Sequence, residues 1–312
     1  MNKKKFKKVL VVLGGTSGER DVSLQTGKAC IRALKKKGYK VSTFDPRIKN
    51  FNLIDKRNVD VIFNALHGRD GEDGVAQSYF EYLKIPYTHS GVLSSFNAMN
   101  KIHSKKIFIK SKIRTPKYFS INKLKYKKNK MRQIINYKNL NFPIVVKPIN
   151  EGSSLGVVIC MNKKKLFKSM NHLFKKYDEL IFEEYIGGQE IQVAVINGRP
   201  LGAIELIPRR FFYDYKAKYT EEAKTQHVMP AGLNKNKYKE VLRIANKAHK
   251  VLKCRGVTRS DFKFYNNIFY LLELNTQPGM TSLSLVPEIA NYTGLSFENL
   301  VEKILLDAST NR

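Results

Sequence analysis

The most constraining feature of the chain is a short apolar run, Val9–Leu13, that ends directly in Gly14-Gly15-Thr16-Ser17-Gly18 and leads into a helical pattern over about 22–37. An apolar run without polar alternation suits a strand buried on both faces. The helix carries Ala29, Ala33 and Leu34 on one stripe, and Gly38 stops it. Tyr39–Asp45 and Val59–Ala65 then read as strands, and Asp73–Leu83 as a helix. Strands alternating with helices predict a parallel sheet with ligands at the carboxyl ends of its strands. The chain places Gly14-Gly15 and Ala65-Leu66-His67-Gly68 at those ends.

The same opening, MNKKKFKKVLVVLGG, imitates a signal peptide. Its apolar part is too short, since an h-region needs ~7–15 residues, and no small-residue cleavage site follows before Glu19-Arg20-Asp21. It therefore reads as a first buried strand. Cys30, Cys160 and Cys254 are odd in number, far apart and without CxxC spacing, which signals neither a disulfide framework nor a zinc site. No apolar run approaches the ~18–20 residues of a membrane helix. A cytoplasmic protein with no membrane partner is the expectation.

Beyond residue 93 the texture changes. The periodicity predicts a single helix over about 94–112, then a lysine-rich stretch to Leu140. Strands are expected at Phe142–Pro148, Val157–Cys160, Leu180–Tyr185, Glu190–Asn197 and Leu201–Ile207, many too close for helical crossovers. That spacing favours antiparallel pairing. A long polar loop over 209–232, a helix over Lys235–Lys253, a hairpin of Val257–Tyr265 with Ile268–Asn275 and a last helix over 296–308 complete the expectation. The fold class is α/β followed by α+β.

The chain has 312 residues and a formal charge of +31, which raises a nucleic-acid reading. Two details weaken it. The excess is 43 Lys against only 14 Arg, whereas base-reading sites favour the bidentate arginine fork. It is also uneven: no carboxylate lies between Glu81 and Glu151, yet that stretch holds 16 Lys and Arg. Solvated lysine-rich faces account for most of it, with a polyanionic partner or substrate as the alternative; no nucleic-acid partner is expected.

Chemistry concentrates in a few segments. Neither GxxxxGK[ST] nor a GxGxxG after a strand is present, so a nucleotide would be held another way. Glu151-Gly152-Ser153-Ser154-Leu155-Gly156 joins two apparent strands just after Lys147. It suits either a phosphate-covering loop or a plain Gly-Ser turn. Along a strand, Arg259 aligns with Asp261 and Glu273 with Asn275. A two-residue Asn266-Asn267 turn would send Asp261 and Glu273 to opposite faces. A three-residue loop would bring all four together, a set of oxygen donors suited to Mg²⁺ and its phosphates. A metal site therefore requires the odd-length loop; the alternative is a salt-bridged face. Glu19 and His67 sit on loops after strands, where catalysis and ordinary capping both occur. Tyr213, Tyr215 and Tyr219 with Lys216 and Lys218 would be either loop decoration or a lid that brings a cation to a phosphate.

Seven motifs in order give the chain a resemblance that runs from Val9 to about Leu306. They are GGTSGERDVS (14–23), ALHGRDGEDG (65–74), VVKPINEGSSLG (145–156), EEYIGGQE (183–190), FYDYKAKY (212–219), RSDF (259–262) and ELNTQPGMTSLSLVP (273–287). The chain resembles the D-alanine–D-alanine ligases of the ATP-grasp superfamily. The resemblance implies an ATP-grasp fold: an N-terminal parallel-sheet, Rossmann-like domain over 1–95, a central domain over 96–182 and a C-terminal catalytic domain over 183–312. It implies two D-alanines and ATP as small-molecule substrates, two Mg²⁺ (or Mn²⁺) ions, and a homodimer by family habit.

Residue roles carry over by position in the motifs. Lys101 and Lys147 would contact the phosphates, with Gly152, Ser153 and Ser154 in the covering loop. Glu183 would accept from the adenine amine, Ile186 would offer backbone contacts, and Glu190 would hold the ribose hydroxyls. Asp261, Glu273 and Asn275 match the metal ligands. Lys218 and Arg259 would neutralise transferring charge. Glu19 would hold the first substrate's ammonium in a hydrogen-bonded set with Ser153 and Tyr219, with His67 in the same region. Ser284 and Leu285 would receive the second substrate's carboxylate. Two departures from the family pattern are Asn100, where an Asp often precedes the phosphate lysine, and Lys112-Ile113-Arg114-Thr115-Pro116, which replaces a turn that usually contains Gly.

Overall fold

The computed structural model describes residues 5–126, 140–208, 225–281 and 283–311. The first apolar run forms β1 (Lys8–Val12), flanked in parallel by β2 (Lys40–Phe44) and β3 (Val61–Asn64) in the order β2-β1-β3. Val9 to Val12 are buried throughout, as a strand covered on both faces requires. The crossover helix α1 (Arg20–Lys36) buries Val22, Thr26, Cys30, Ala33 and Leu34, one stripe at helical spacing. It ends where Gly38 takes φ +75°, with Tyr39 N–H bonded back to the Leu34 carbonyl. Helix α2 (Val75–Leu83) follows β3.

The expected helix over 94–112 is two helices, α3 (Val92–Met99) and α4 (Lys101–Lys110). Asn100 separates them. Its ψ of 107° is not helical, and its side chain accepts from Ile102 and His103 N–H, starting a new helix with Lys101 as its first residue. An Asp at that position could accept the same bonds, so this departure from the family pattern preserves the cap.

The second sheet is antiparallel, in the order β4-β7-β5-β6, from β4 (Tyr118–Asn122), β5 (Ile144–Pro148), β6 (Val158–Cys160) and β7 (Glu179–Glu184). Helix α5 (Lys163–Leu173) packs Leu166, Met170 and Leu173 against it. The third sheet is also antiparallel: β8 (Gln189–Ile196), β9 (Arg199–Ile207), β10 (Gln226–Val228), β11 (Val257–Tyr265) and β12 (Ile268–Asn275), in the order β10-β9-β8-β11-β12. Strand β10 lies inside the segment expected to be a loop, whose residues 209–224 are outside the described set.

Both faces of the third sheet are covered, which explains the near-continuous apolar run of β8. Ile191, Val193 and Val195 pack with Val241, Ala245 and Ala248 of α6 (Lys235–Val251), and with Ala98 and Phe108 from α3 and α4. Ala194 and Ile196 pack on the other face with α7 (Leu285–Tyr292) and α8 (Phe297–Leu306), in a core shared with Val9, Val11 and Phe63 of the first sheet. Each fully buried aliphatic side chain here contributes ~1.5–3 kcal/mol.

The β11–β12 hairpin corrects the expected loop length. Its turn has two residues, Asn266 and Asn267, both at positive φ, and Tyr265 pairs with Ile268. That is the left-handed geometry a tight hairpin favours and asparagine tolerates. The shared face is reached another way. Phe262 pairs with Leu271 but Asp261 pairs with Glu273, so Leu272 is the extra residue of a β-bulge. One bulged residue does what an odd-length loop would have done.

Candidate active site

The bulge sets up a polar row on one face of the third sheet. Gln192 lies beside Asp261, and Asp261 opposite Glu273; Ala194 lies beside Arg259, and Arg259 opposite Asn275. One step further along, Glu190 lies beside Lys263, and the two are ion-paired at 3.1 Å. The apolar members of this face, Ala194 and Ile196, belong to the core, and Gln192, Arg259, Glu273 and Asn275 of the row line a cavity. Arg259 donates to both Asp261 oxygens at 2.8 and 2.9 Å, a bidentate pair on adjacent same-face positions. Glu273 meets Lys101 at 3.4 Å, and Asn275 accepts from Gln277 N–H at 2.8 Å.

The cavity collects residues from the loops after β1, β3 and β5, from α4 and from the third sheet. Glu19, His67, Lys101, Gly152, Ser153, Arg259, Glu273, Asn275, Ser284 and Leu285 all line it, each expected at a site on sequence grounds. Glu19 sits at the start of α1, but its buried carboxylate makes no helix cap. It accepts instead from the Ser153 hydroxyl, 134 positions away. Ser153 and Ser154 both adopt positive φ, so this loop holds strained backbone of the kind that recurs at ligand sites.

His67 is buried, with Nε2 3.0 Å from the Thr26 hydroxyl. Burial drives its pKa down to about 4, against a backbone hydrogen bond at Gln277 that raises it and Arg259 that lowers it further. It is therefore a neutral imidazole at neutral pH. Glu72, which sequence reasoning passed over inside ALHGRDGEDG, also lines the cavity. Burial and then the Glu19 charge push its carboxyl well above the ordinary carboxylate range. Its Oε1 accepts from Gly68 N–H, while Oε2 has no hydrogen-bond partner among the described residues.

At the far end of the cavity Ser284 precedes α7. Its hydroxyl accepts from Thr281 N–H at 2.9 Å rather than capping the helix. The first N–H groups of α7 have no partner within the helix and point a partial positive charge outward. Gln277, also missed, ties this end to the first sheet by accepting from Asn64 at 2.8 Å and donating to the Leu66 carbonyl.

A second cluster lies on the β7 side. Glu183 is buried between two lysines, Lys147 of β5 at 2.8 Å and Lys105 of α4 at 3.1 Å. Burial would raise the Glu183 carboxyl, but Lys105 and Lys147 outweigh it and hold the group below its usual value. Burial acts to lower the Lys147 ammonium, yet Glu183 and Glu273 lift it above normal. Lys105, more deeply enclosed, is pulled down to about 8 by burial despite Glu183. Lys105 was not among the expected residues: nothing in its local sequence separates it from the other lysines. Ile186 is half-buried in the β7–β8 connection, and Ser154 lies in the loop beside the cavity. Lys218 and Tyr219 fall outside the described residues, as do Tyr213, Tyr215 and Lys216.

An N-terminal parallel sheet and two antiparallel sheets, with a cavity lined by glutamates together with Lys101 and Arg259, define an ATP-grasp ligase. The chain belongs to the D-alanine–D-alanine ligase family: the family models described as D-ala D-ala ligase N-terminus and C-terminus match residues 44–90 and 107–306. It is 57% identical over 307 residues to the D-alanine–D-alanine ligase of Pelagibacter ubique (strain HTCC1062), covering 98% of this chain and 99% of that one. The crystal structure of D-alanine–D-alanine ligase from Bacillus anthracis superposes with a TM-score of 0.84 at 33% identity, over 96% of this chain and 97% of that one. The structure of that ligase complexed with ATP gives 0.82 at 31% identity, with the same coverage. No helix among the described residues is long and apolar enough to cross a membrane.

Proposed function

We propose that the chain joins two D-alanines into D-alanyl-D-alanine, with ATP activating the first. The observation that carries this reading is convergence: ten residues expected to handle substrates, phosphates or metal line one cavity, although they come from distant parts of the chain. The first D-alanine places its ammonium against Glu19, which Ser153 orients. A carboxylate is a poor acyl donor because oxide would have to leave. Transfer of the ATP γ-phosphoryl group to one of its oxygens releases ADP and gives an acyl phosphate, whose phosphate leaves readily. Positioning and charge neutralisation do most of that work, and Lys101, Lys147, Lys218 and Arg259 supply the cations. The loop over 152–156 covers the phosphates.

The second D-alanine docks its carboxylate at the start of α7, on Ser284 and Leu285, where helix N–H groups favour an anion. Its amine, once deprotonated, attacks the acyl carbon. Phosphate departs with the electrons of the broken C–O bond, and Arg259 stabilises the tetrahedral oxyanion. His67, being neutral, contributes hydrogen bonding and not charge in the first-substrate region. Glu183 accepts from the adenine amine, Ile186 lends backbone contacts, and Glu190 takes the ribose hydroxyls.

The donor set fits Mg²⁺ or Mn²⁺. Asp261, Glu273 and Asn275 present hard oxygen atoms from one sheet face. Divalent ions held there would neutralise the β- and γ-phosphate oxygens. Arg259 already engages both oxygens of Asp261, so it holds that carboxylate in orientation.

Tyr219 completes the Glu19–Ser153 set and favours an amine acceptor over D-lactate. The product serves peptidoglycan precursor synthesis in the cytoplasm, and a homodimer is the assembly that the family resemblance implies. The deciding experiment supplies ATP, Mg²⁺ and D-alanine and follows phosphate release with mass spectrometry of the product. Folded protein that yields no dipeptide sinks the reading.

A further inference from the structure

We propose that Lys105 is a positioning residue for nucleotide recognition, holding the Glu183 carboxylate in place as the adenine-amine acceptor when Lys147 turns toward the phosphates. This rests on the proposed role of Glu183. The cluster has an uneven charge count: one carboxylate faces two ammonium groups, all three buried. A buried cation costs several kcal/mol unless it is well paired, so a second lysine beside one glutamate needs a reason.

The geometry supplies one. The two lysines address different oxygens of Glu183, Lys105 at Oε1 and Lys147 at Oε2, and they come from different elements, α4 and β5. Glu273 of the polar row contributes to the electrostatic surroundings of both lysines, ranking just after Glu183 for Lys147 and last for Lys105. Lys105 is fully enclosed, with the Tyr118 ring 5.8 Å from its ammonium. Its side chain has no exposed surface, whereas that of Lys147 keeps 9% of its own. When Lys147 engages a phosphate, Glu183 loses one partner. Without Lys105 it would be a lone buried carboxylate, which protonates or moves.

A second observation points to a ligand at the same atoms. Glu183 Oε1 and Lys105 Nζ are both enclosed, and neither has an aligned hydrogen bond among the described residues despite their 3.1 Å separation. The ion pair therefore fixes the carboxylate while leaving acceptor capacity on Oε1. Adenine offers its 6-amine as a donor suited to that capacity.

The test compares ATP with purine riboside triphosphate, which lacks the 6-amine, in steady-state turnover of the full-length protein. Wild type should prefer ATP by ~10-fold or more in kcat/KM, the worth of a hydrogen bond to a charged group. No preference in wild type means the Glu183 role itself is wrong, and the inference falls with it. With that preference established, Lys105→Met should raise KM for ATP by ~10-fold, change kcat by less than ~3-fold, and bring the preference close to one. A KM raised equally for both nucleotides would mark a merely structural lysine and overturn the proposal, as would an unchanged preference. Should Lys105→Met not fold, Glu183→Gln alone is compared with Glu183→Gln/Lys105→Met, which removes both charges of the pair. A residue acting through Glu183 leaves the double variant's KM for ATP within ~2-fold of the single variant. A further ~10-fold loss rules that out.

Discussion

Asp261 and Glu273 face each other directly across β11 and β12, and one unpaired residue, Leu272, makes them do so. In a regular ladder grown from the two-residue Asn266-Asn267 turn, Asp261 would lie opposite Leu272, and Glu273 would point to the core side with Phe262 and Leu271. The bulge thus converts a hairpin whose turn suits stability into one whose carboxylates suit a cation. Bulges recur beside active sites for this kind of re-aiming. The same slip puts Asn275 opposite Arg259, so the whole polar row depends on it.

The row makes a direct prediction. Asp261→Asn and Glu273→Gln should each cost at least ~100-fold in kcat, by analogy with removal of one preorganised electrostatic group. Both should also raise the Mg²⁺ concentration needed for half-maximal rate. Titrating Mg²⁺ in a phosphate-release assay reads both effects. Near-normal rates and an unchanged Mg²⁺ requirement would remove the metal role from these side chains.

Much of this site was legible because local rules placed its pieces. The apolar run before Gly14-Gly15 set β1, and the same-face rule grouped Arg259 with Asp261 and Glu273 with Asn275. The bulge had a signal that loop arithmetic overlooked. Phe269 and Leu271 alternate correctly into the core, but the next core residue is Leu274, a step of three where a strand should step two. Asn100 likewise carried an N-cap signature inside an apolar pattern that looked continuous. Lys105 had no such signal. Its partner Glu183 is far along the chain, and only the docking of α4 beside the second sheet brings them together.

Gly68 tests the first-substrate end. It adopts φ +70°, and a Cβ added there would lie 2.7 Å from Glu19 Oε2 and 3.2 Å from the Ser17 side chain. Gly68→Ala must therefore displace the carboxylate proposed to hold the first ammonium, in a backbone conformation that already disfavours alanine. The expected outcome is a ~10-fold or larger rise in KM for the tighter D-alanine site, with KM for ATP changed much less. Equal rises for both substrates would point to general disruption.

Lys112 is a non-glycine residue at φ +55°, two positions beyond the end of α4. Ile113 N–H bonds back to the Phe108 carbonyl there, the closure of a left-handed helix end. A side chain in this region costs ~1 kcal/mol, partly offset because glycine loosens the unfolded chain. Lys112→Gly should stabilise the fold by roughly 0.5 kcal/mol, read as a higher urea midpoint with an unchanged slope. A lower midpoint would mean the lysine makes a compensating contact.

Acid should weaken the fold through buried histidine. His249 of α6 is enclosed, 2.9 Å from the Thr258 hydroxyl. Burial drives its pKa to about 4, against Asp307, which raises it, and with Lys250, which lowers it. A folded value below the unfolded one of ~6.5 means the unfolded chain binds the proton more readily. The stability tied to neutral His249 is thus complete above ~6.5 and is lost as pH falls toward 4. At pH 5 the loss from this one group is ~2 kcal/mol relative to pH 7.5. Urea unfolding of wild type and His249→Gln at both pH values isolates it, since glutamine keeps a polar partner for Thr258 but takes no proton. The variant should lose ~2 kcal/mol less on acidification than wild type. An identical loss would show that His249 is neutral in neither state's favour and that other groups, His67 among them, carry the acid sensitivity.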